Sequence, residues 1–316
     1  MEGWKGYYPI RHENGFNWDR KRVLSWMKDL MKTDAIKVAH NAVYDLGWLH
    51  TEGIKVNGRI IDTMVIASLL DENRFSYSLN ALSYDHLNKT KSEKSLVEAA
   101  RDFGVDPKAE LWKLPAMHVG PYAEMDAVLT LELWTYFRTL LGKEDLWQVA
   151  NLELALLPCL IDMTWTGVRV NTDRVERTRV ELIKREKLVL EQIKTMTGMN
   201  VEIWAAQSLS KAFDKVSISY PKTEKGQPSF TKNFLSDHTE KLPRLVVEAR
   251  NLNKTHGTFI NTIMRHTHRD GRIHSHINQI RSDDGGTVSG RISMSNPNLQ
   301  QIPARDPELG PMIRSL

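Results

Sequence analysis

Short apolar runs alternate with helix-like patterns through the first half of the sequence, and this alternation limits the possible folds more than any other feature. Strand-like runs are expected at residues 6–10, 36–39 and 59–62. Each precedes a segment whose apolar residues recur at helical spacing, and the first of these helices is expected to be capped by Asn17. Strands that alternate with helices are typical of an α/β layer. The first half is therefore predicted to hold a sheet with flanking helices.

The second half has a different pattern, dominated by long helices. Helical spacing of apolar residues is found at 146–165, from Asn171 or Thr172 onward, and at 245–266. A strand-like alternation follows at 272–278, and the stretch from residue 282 is rich in Gly, Ser, Asn and Pro. This change predicts two domains, residues 1–147 and 148–316, the second mainly α-helical and ending in the first part of an α+β region.

The composition excludes several classes of protein. Of the 316 residues, 41% are hydrophobic and 26% are charged, so a core can form. No run of 18 apolar residues indicates a transmembrane helix, and the N-terminus has no apolar signal core. The single cysteine, Cys159, excludes an intramolecular disulfide and a cysteine-cluster metal site. A cytoplasmic protein without a membrane partner is therefore expected, and a monomer is the expected oligomeric state.

The charge is distributed unevenly along the chain. The formal net charge is +4, but residues 241–316 alone contain 11 Lys and Arg against 6 Asp and Glu, which leaves the first 240 residues close to neutral. A basic C-terminal quarter is what a surface that binds a polyanion would need. A solvated basic helix face explains the charge equally well.

Two pairs of polar residues have helical spacing and include a carboxylate. Asn41 and Asp45 are four residues apart, as are Tyr122 and Asp126, so each pair is expected on one helix face. Clustered carboxylates hold Mg²⁺ or Mn²⁺ for phosphodiester hydrolysis, and a phenol is able to orient the attacking water. Taken alone, each spacing is more often a helix cap or a surface pair.

Two further features suit a nucleic acid. Arg250 and Lys254 are four residues apart on a predicted helix, where they could straddle a backbone phosphate, although a solvated face has the same pattern. The stretch from Gly290 to Arg305 supplies many hydrogen-bond donors that suit the acceptors of the DNA minor groove. On composition alone, a polar surface loop is the favoured interpretation of this stretch.

The first half resembles the 3'-5' exonuclease domain of family-A DNA polymerases. Val38–Leu49 is similar to the second motif of that domain, Ile61–Met64 to the segment after it, and Tyr122–Ala127 to its Tyr-x-x-x-Asp motif. The resemblance implies an RNase H-like mixed sheet with flanking helices and two divalent ions, Mg²⁺ or Mn²⁺. It also implies metal carboxylates at Asp45 and Asp126, a water-orienting phenol at Tyr122, a supporting residue at Asn41, and a single-stranded DNA 3' end as the ligand.

The second half resembles the thumb and the start of the palm in the same family. The segment Gly290–Arg305 is similar to the motif that joins these two regions and grips primer–template DNA. The resemblance implies that the primer end contacts Arg291 and that the backbone contacts are made by thumb-helix residues. It further implies minor-groove and active-site contacts from the remaining matched positions. The implied DNA-binding residues are Arg250, Lys254, Arg291, Asn298, Gln300 and Arg305.

Two departures from the family pattern limit what this sequence is expected to do. No Asp-x-Glu precedes Asp45, and neither polymerase aspartate follows Arg305. The expectation is therefore a DNA polymerase I-like fragment, from a bacterium or a phage, that binds DNA but has little or no exonuclease activity and no templated synthesis of its own. The alternative is a non-catalytic DNA-binding protein or one subunit of a split polymerase. A stand-alone exonuclease would not need the segment at 290–305.

Overall fold

The computed structural model describes residues 4–91, 94–281, 286–303 and 306–316, and of Lys94 it describes the backbone alone. The chain forms two compact units. The first comprises the residues up to Trp165 together with Ile277–Ser295, and the second comprises Thr166–His276 together with Asn296–Leu316. The predicted division into domains 1–147 and 148–316 stays a prediction. The helix Trp147–Thr166 packs with the first unit, which includes all of its residues except Thr166.

The described chain is rich in helix, with a few short strands. Its α-helices are α1 (Arg20–Met31), α2 (Ala42–Thr51), α3 (Thr63–Leu70), α4 (Leu79–Leu87), α5 (Lys94–Phe103), α6 (Ala116–Lys143), α7 (Trp147–Thr166), α8 (Thr172–Thr197), α9 (Ala206–Lys215), α10 (Lys232–Asp237), α11 (Lys241–Lys254), α12 (Asn261–His266) and α13 (Leu309–Arg314). Its strands are β1 (Lys37–Ala39), β2 (Ile60–Asp62), β3 (Val168–Arg169), β4 (Arg272–Ile273), β5 (His276–Asn278) and β6 (Ser293–Ser295). None of the described helices is long and apolar enough to cross a lipid bilayer.

The sheets of the described residues are pairs of short strands. Strand β1 pairs in parallel with β2, in a register that sets Val38 opposite Ile61, while β3 pairs with β4 and β5 with β6. These pairs do not confirm the RNase H-like mixed sheet that the resemblance implied. The predicted strand at 6–10 is wrong, because this segment has no ladder partner. Pro9 lacks the N–H that a ladder needs.

The core of the first unit is organised by the long helix α6. This helix packs against β1, α3, α4 and α5. Leu133, Phe137 and Leu141 recur at a spacing of four, so they lie on one face and are fully buried. Helix α2 packs through Ala42 and the partly buried Leu46 in a separate apolar cluster. Outside these apolar faces, Asp45 on α2 is exposed and Asp126 on α6 is partly exposed.

The first helix begins later than its sequence suggested. Asp19, rather than Asn17, caps α1, because its side chain accepts the N–H of Arg22 at 2.7 Å. Asn17 instead exchanges two hydrogen bonds with the backbone of His12, each 2.8 Å long. The sequence holds two cap-forming residues in three positions, and only the local loop geometry decides between them.

The second unit is built around the packing of α8 against α11. Its core includes Leu182 from α8, Phe213 from α9 and Leu242 from α11, all fully buried. The predicted helix at 245–266 begins earlier than expected, at Lys241, and contains a π-helical segment at Thr255–Ile260.

Candidate active site

A cleft of about 800 Å³ in the first unit brings together residues that are far apart in the sequence. It is lined by Asn41, which precedes α2, by Asp45 on α2, by Asp126 on α6, and by the segment Ser76–Leu79. Tyr122 lies one helical turn before Asp126 on α6. The structure thus places the two carboxylates on the wall of one cavity.

The start of α2 fixes where Asn41 and Asp45 point. Strand β1 ends at Ala39, and Asn41 then takes a left-handed backbone conformation, with φ of 63°. Asparagine tolerates this conformation better than most residues. The turn lets α2 begin at Ala42, whose buried side chain anchors the helix. Asp45, one turn along, keeps an exposed side chain at the rim of the cleft.

The start of α2 is hydrogen-bonded to the buried side chain of Asp62, a residue to which the sequence assigned no role. Its carboxylate is 2% exposed and accepts backbone N–H groups from Asn41 at 3.1 Å, Ala42 at 2.7 Å and Met64 at 2.9 Å. Burial raises the pKa of Asp62, and the backbone N–H groups oppose the rise. An aspartate between a strand and a helix was a cap signal, but its bonds to residues 41 and 42 could not be foreseen.

Asp45 has an altered affinity for protons. Loss of solvent on its protein side, and then repulsion from the charge of Asp62, raise its pKa to about 6 from an ordinary 3.8. The folded state therefore binds the proton of Asp45 more tightly than the unfolded state does. The stability gained from protonation is fully present below pH 3.8 and is lost as the pH rises through about 6.

Asp45→Asn is therefore expected to stabilise the first unit at pH 7, by about 1 kcal/mol once the exposure of Asp45 is allowed for. The gain arises because asparagine has no charge that is desolvated by the protein or repelled by Asp62. Urea unfolding of the two proteins at pH 7 and at pH 4.5 measures it. The gain is expected to shrink at the lower pH, and an equal gain at both values would contradict the assigned cause.

Lys91 is a second residue that sequence analysis missed. Its ammonium donates hydrogen bonds to Asp126 Oδ1 at 2.8 Å and to Tyr122 Oη at 2.6 Å, and its side chain is only 9% exposed. Burial opposes the charge, but the bonds to Asp126 and Tyr122 hold the pKa of Lys91 above its ordinary value. No spacing rule links position 91 to the pair on α6, so the sequence carried no signal for this contact.

His40 lies beside the same cleft as a neutral ring. Burial lowers its pKa to about 4, and the Lys91 charge adds to this effect. Its Nδ1 lies 2.9 Å from Thr63 Oγ1. The ring therefore helps to join the end of β1 to the start of α3.

The residues around the cleft do not fit a pair of divalent ions in this arrangement. Asp126 is bound by Lys91, and both Asp62 oxygens accept backbone N–H groups. Among the residues that the structure describes, no three His, Cys, Asp or Glu side chains are grouped as metal ligands. Divalent ions prefer several oxygen ligands, so Asp126 cannot contribute to such a site while Lys91 is bound to it.

The predicted DNA-binding residues on α11 point in different directions. Arg250 turns inward, where its guanidinium donates to the carbonyl oxygens of Ile203 at 2.7 Å and Phe230 at 2.9 Å. Lys254 is exposed near the end of α11. A phosphate contact by both residues stays a prediction, and in this arrangement Lys254 alone has a free path to one.

The segment 290–303 is divided between the two units. Arg291 is exposed and belongs to the first unit, whereas Asn298 and Gln300 are exposed in the second. The Asn298 side chain accepts the N–H of Gln300 at 3.0 Å and so caps a short 3₁₀ turn. Arg305 lies outside the described residues, and the roles of all four stay predictions.

Comparison with known families assigns the two halves. A family model for 3'-5' exonucleases matches residues 7–142, which contain the whole cleft. The first half is thus an exonuclease-type domain. A second model, for DNA polymerase family A, matches residues 172–316. The chain therefore belongs to the family-A DNA polymerases that carry a 3'-5' exonuclease domain, a family that uses divalent metal ions.

Individual relatives agree with this assignment. A DNA-directed DNA polymerase of Pseudomonas phage M6 is 34% identical over 100% of this chain and 49% of its own length. DNA polymerase I of Chloroflexus aurantiacus is 30% identical over 86% of this chain and 29% of its own length. The chain spans about half the length of the phage relative.

A solved structure supports the fold. It is the POL domain of Pol1 from M. smegmatis in complex with DNA primer-template and dNTP, which has 21% sequence identity and a TM-score of 0.67. The match covers 94% of this chain and 47% of that one. At this identity the likeness concerns the fold.

Proposed function

We propose that this chain is the DNA-holding part of a family-A polymerase, and that its first unit receives the 3' end of a single strand. The observation that carries the proposal is that Asn41, Asp45 and Asp126 line one cleft although about 80 residues separate Asp126 from the other two in the sequence. A cavity with paired carboxylates is suited to a strand end whose terminal phosphodiester is to be cut.

The proposed roles within the cleft follow from position. Asp45 and Asp126 are the carboxylates that face the terminal phosphodiester, and they are the groups that would hold Mg²⁺ or Mn²⁺ once Asp126 is free of Lys91. The Tyr122 phenol would orient water, and Asn41 supports the start of α2. The parallel pair β1–β2, with a helix after each strand, is consistent with part of an RNase H-like sheet.

The second unit is proposed to hold primer–template duplex through Lys254, Asn298 and Gln300, with Arg250 and Arg305 as further candidates. Arg291, which belongs to the first unit, is proposed as a separate contact to DNA. The parent protein would copy DNA and proofread it in the cytoplasm of a bacterium or of a phage-infected cell, since the relatives come from phages and bacteria. Because these relatives are polymerases, the alternative of a non-catalytic DNA-binding protein or split-polymerase subunit is not favoured.

Purified 1–316 is expected to bind a single-stranded oligonucleotide but to shorten it slowly or not at all in Mg²⁺, because Lys91 occupies Asp126. A 5'-labelled oligonucleotide resolved on a gel measures the shortening, with Asp126→Ala as the matched variant. Rapid shortening that Asp126→Ala abolishes would contradict the expected inactivity, and failure to bind single strands would contradict the proposed function.

Lys254→Ala is expected to weaken primer–template binding to a similar degree for every sequence and to reduce the salt slope by about one unit. The physical reason is the loss of one released counterion. Fluorescence anisotropy at several salt concentrations measures both effects. The control is Lys143→Ala, an exposed lysine at the end of α6 in the other unit. An equal loss in both variants would indicate a general charge effect and would refute a specific contact by Lys254.

A further inference from the structure

The ammonium of Lys91 occupies the functional face of α6. It contacts both residues of the Tyr122–Asp126 pair, with bonds of 2.6 and 2.8 Å, and it also lies 4.0 Å from the centre of the Tyr122 ring. Both residues of the pair therefore contact one side chain that is only 9% exposed.

The two carboxylates of the cleft, those of Asp45 and Asp126, differ in their ion-pair partners. Asp126 has a lysine partner, whereas no ion pair to Asp45 is found within the described part of the chain. Lys89, two residues before Lys91, is exposed and pairs instead with Glu132 on the outer surface of α6. The arrangement at Lys91 is thus particular to that position and not a general property of this basic segment.

We propose that Lys91 is a built-in cation that occupies Asp126 in place of a divalent ion, so that the cleft in this arrangement does not fit one there. An ammonium and a metal ion cannot share this carboxylate at close range, because like charges repel strongly at a partly buried site. Lys91 is then a positioning residue that acts through Asp126 and Tyr122. The inference deepens the proposed function, but its test needs neither DNA nor hydrolysis.

The test is Mn²⁺ binding by calorimetry to the full chain and three variants. Lys91→Met keeps the length of the side chain without its charge, and we expect Mn²⁺ to bind about tenfold more tightly. Lys91→Arg keeps the charge and should remain weak. Lys89→Met is the matched control and should behave like the unaltered chain. Adding Asp126→Asn to Lys91→Met should remove the gain.

Equal Mn²⁺ affinity in Lys91→Met and the unaltered chain would overturn the proposal, and so would absence of binding in both. Circular dichroism checks that each variant is folded. If Lys91→Met does not fold, acetylation of the unaltered chain, mapped by mass spectrometry, gives the answer. Lys91 should react more slowly than Lys89 without metal and faster when Mn²⁺ is added. Two results would refute the proposed blocking of Asp126 by Lys91. One is that Lys91 and Lys89 react equally fast without metal, and the other is that the reactivity of Lys91 does not change when Mn²⁺ is added.

The outcomes also separate this inference from the proposed function. If Lys91→Met binds Mn²⁺ more tightly but no protein in the set binds single-stranded DNA, the blocking of Asp126 by Lys91 is supported and the proposed strand-end site is rejected. If single-stranded DNA binds but the Mn²⁺ affinity does not depend on Lys91, the strand-end site is supported and the blocking of Asp126 by Lys91 is rejected.

Discussion

Asp62→Ala is expected to destabilise the first unit by about 4 kcal/mol. The substitution leaves three backbone N–H groups, those of Asn41, Ala42 and Met64, without their acceptor. Each buried donor left unpaired costs about 1–3 kcal/mol, and water that enters the vacated space recovers part of the sum. Because these groups begin α2 and α3, the effect should be concentrated at the two helix starts.

Urea unfolding gives the size of the effect, and amide hydrogen exchange gives its location. The amides of residues 41, 42 and 64 should lose protection first. The control is Asp19→Ala, which removes an exposed cap of α1 and should cost about 1 kcal/mol. If Asp62→Ala costs no more than Asp19→Ala, Asp62 does not hold the site as described.

Glu186→Ala is expected to cost the second unit about 3 kcal/mol. The Glu186 carboxylate, nearly buried on α8, accepts from Asn253 Nδ2 at 2.9 Å and lies 2.5 Å from His256 Nε2. Removing one partner of such a buried network leaves the others unpaired, which costs more than the bond itself contributes. The loss should loosen the end of α11, where Lys254 lies.

Hydrogen exchange in α11 and the denaturant midpoint of the second unit measure this effect. The matched control is Glu191→Ala, which changes an exposed glutamate on α8, the helix that also carries Glu186. It should change stability by no more than a few tenths of a kcal/mol. Equal effects of the two substitutions would show that the Glu186 contacts carry no special weight.

The sequence predicted the two halves of the cleft because helical spacing is a local property. Tyr122 and Asp126 lie on α6 as the spacing of four requires, whereas Asn41 takes a left-handed conformation just before α2 and only Asp45 lies on that helix. Their meeting in one cavity was implied by the resemblance alone. The contacts of Lys91 depend on the path of the chain from the end of α4 to Lys91, which no periodicity describes.

The same limit applies in the second unit. Arg250 and Lys254 share α11, as predicted, but spacing does not determine where a long side chain ends. Arg250 turns to carbonyl oxygens at Ile203 and Phe230, which are 47 and 20 residues away in the sequence. Contacts of this kind follow from the packing of loops against a helix, and a single sequence does not reveal them.

The central claim, that the first-unit cleft receives a DNA 3' end, is tested most directly by photo-crosslinking. An oligonucleotide with 4-thiothymidine at its 3' end is irradiated with the full chain, and the modified peptides are mapped by mass spectrometry. We expect adducts on α2 near Asp45 and on the segment Ser76–Leu79, both of which line the cleft, and few from a probe at the 5' end. Adducts spread over the surface, or the same for both probes, would contradict the account.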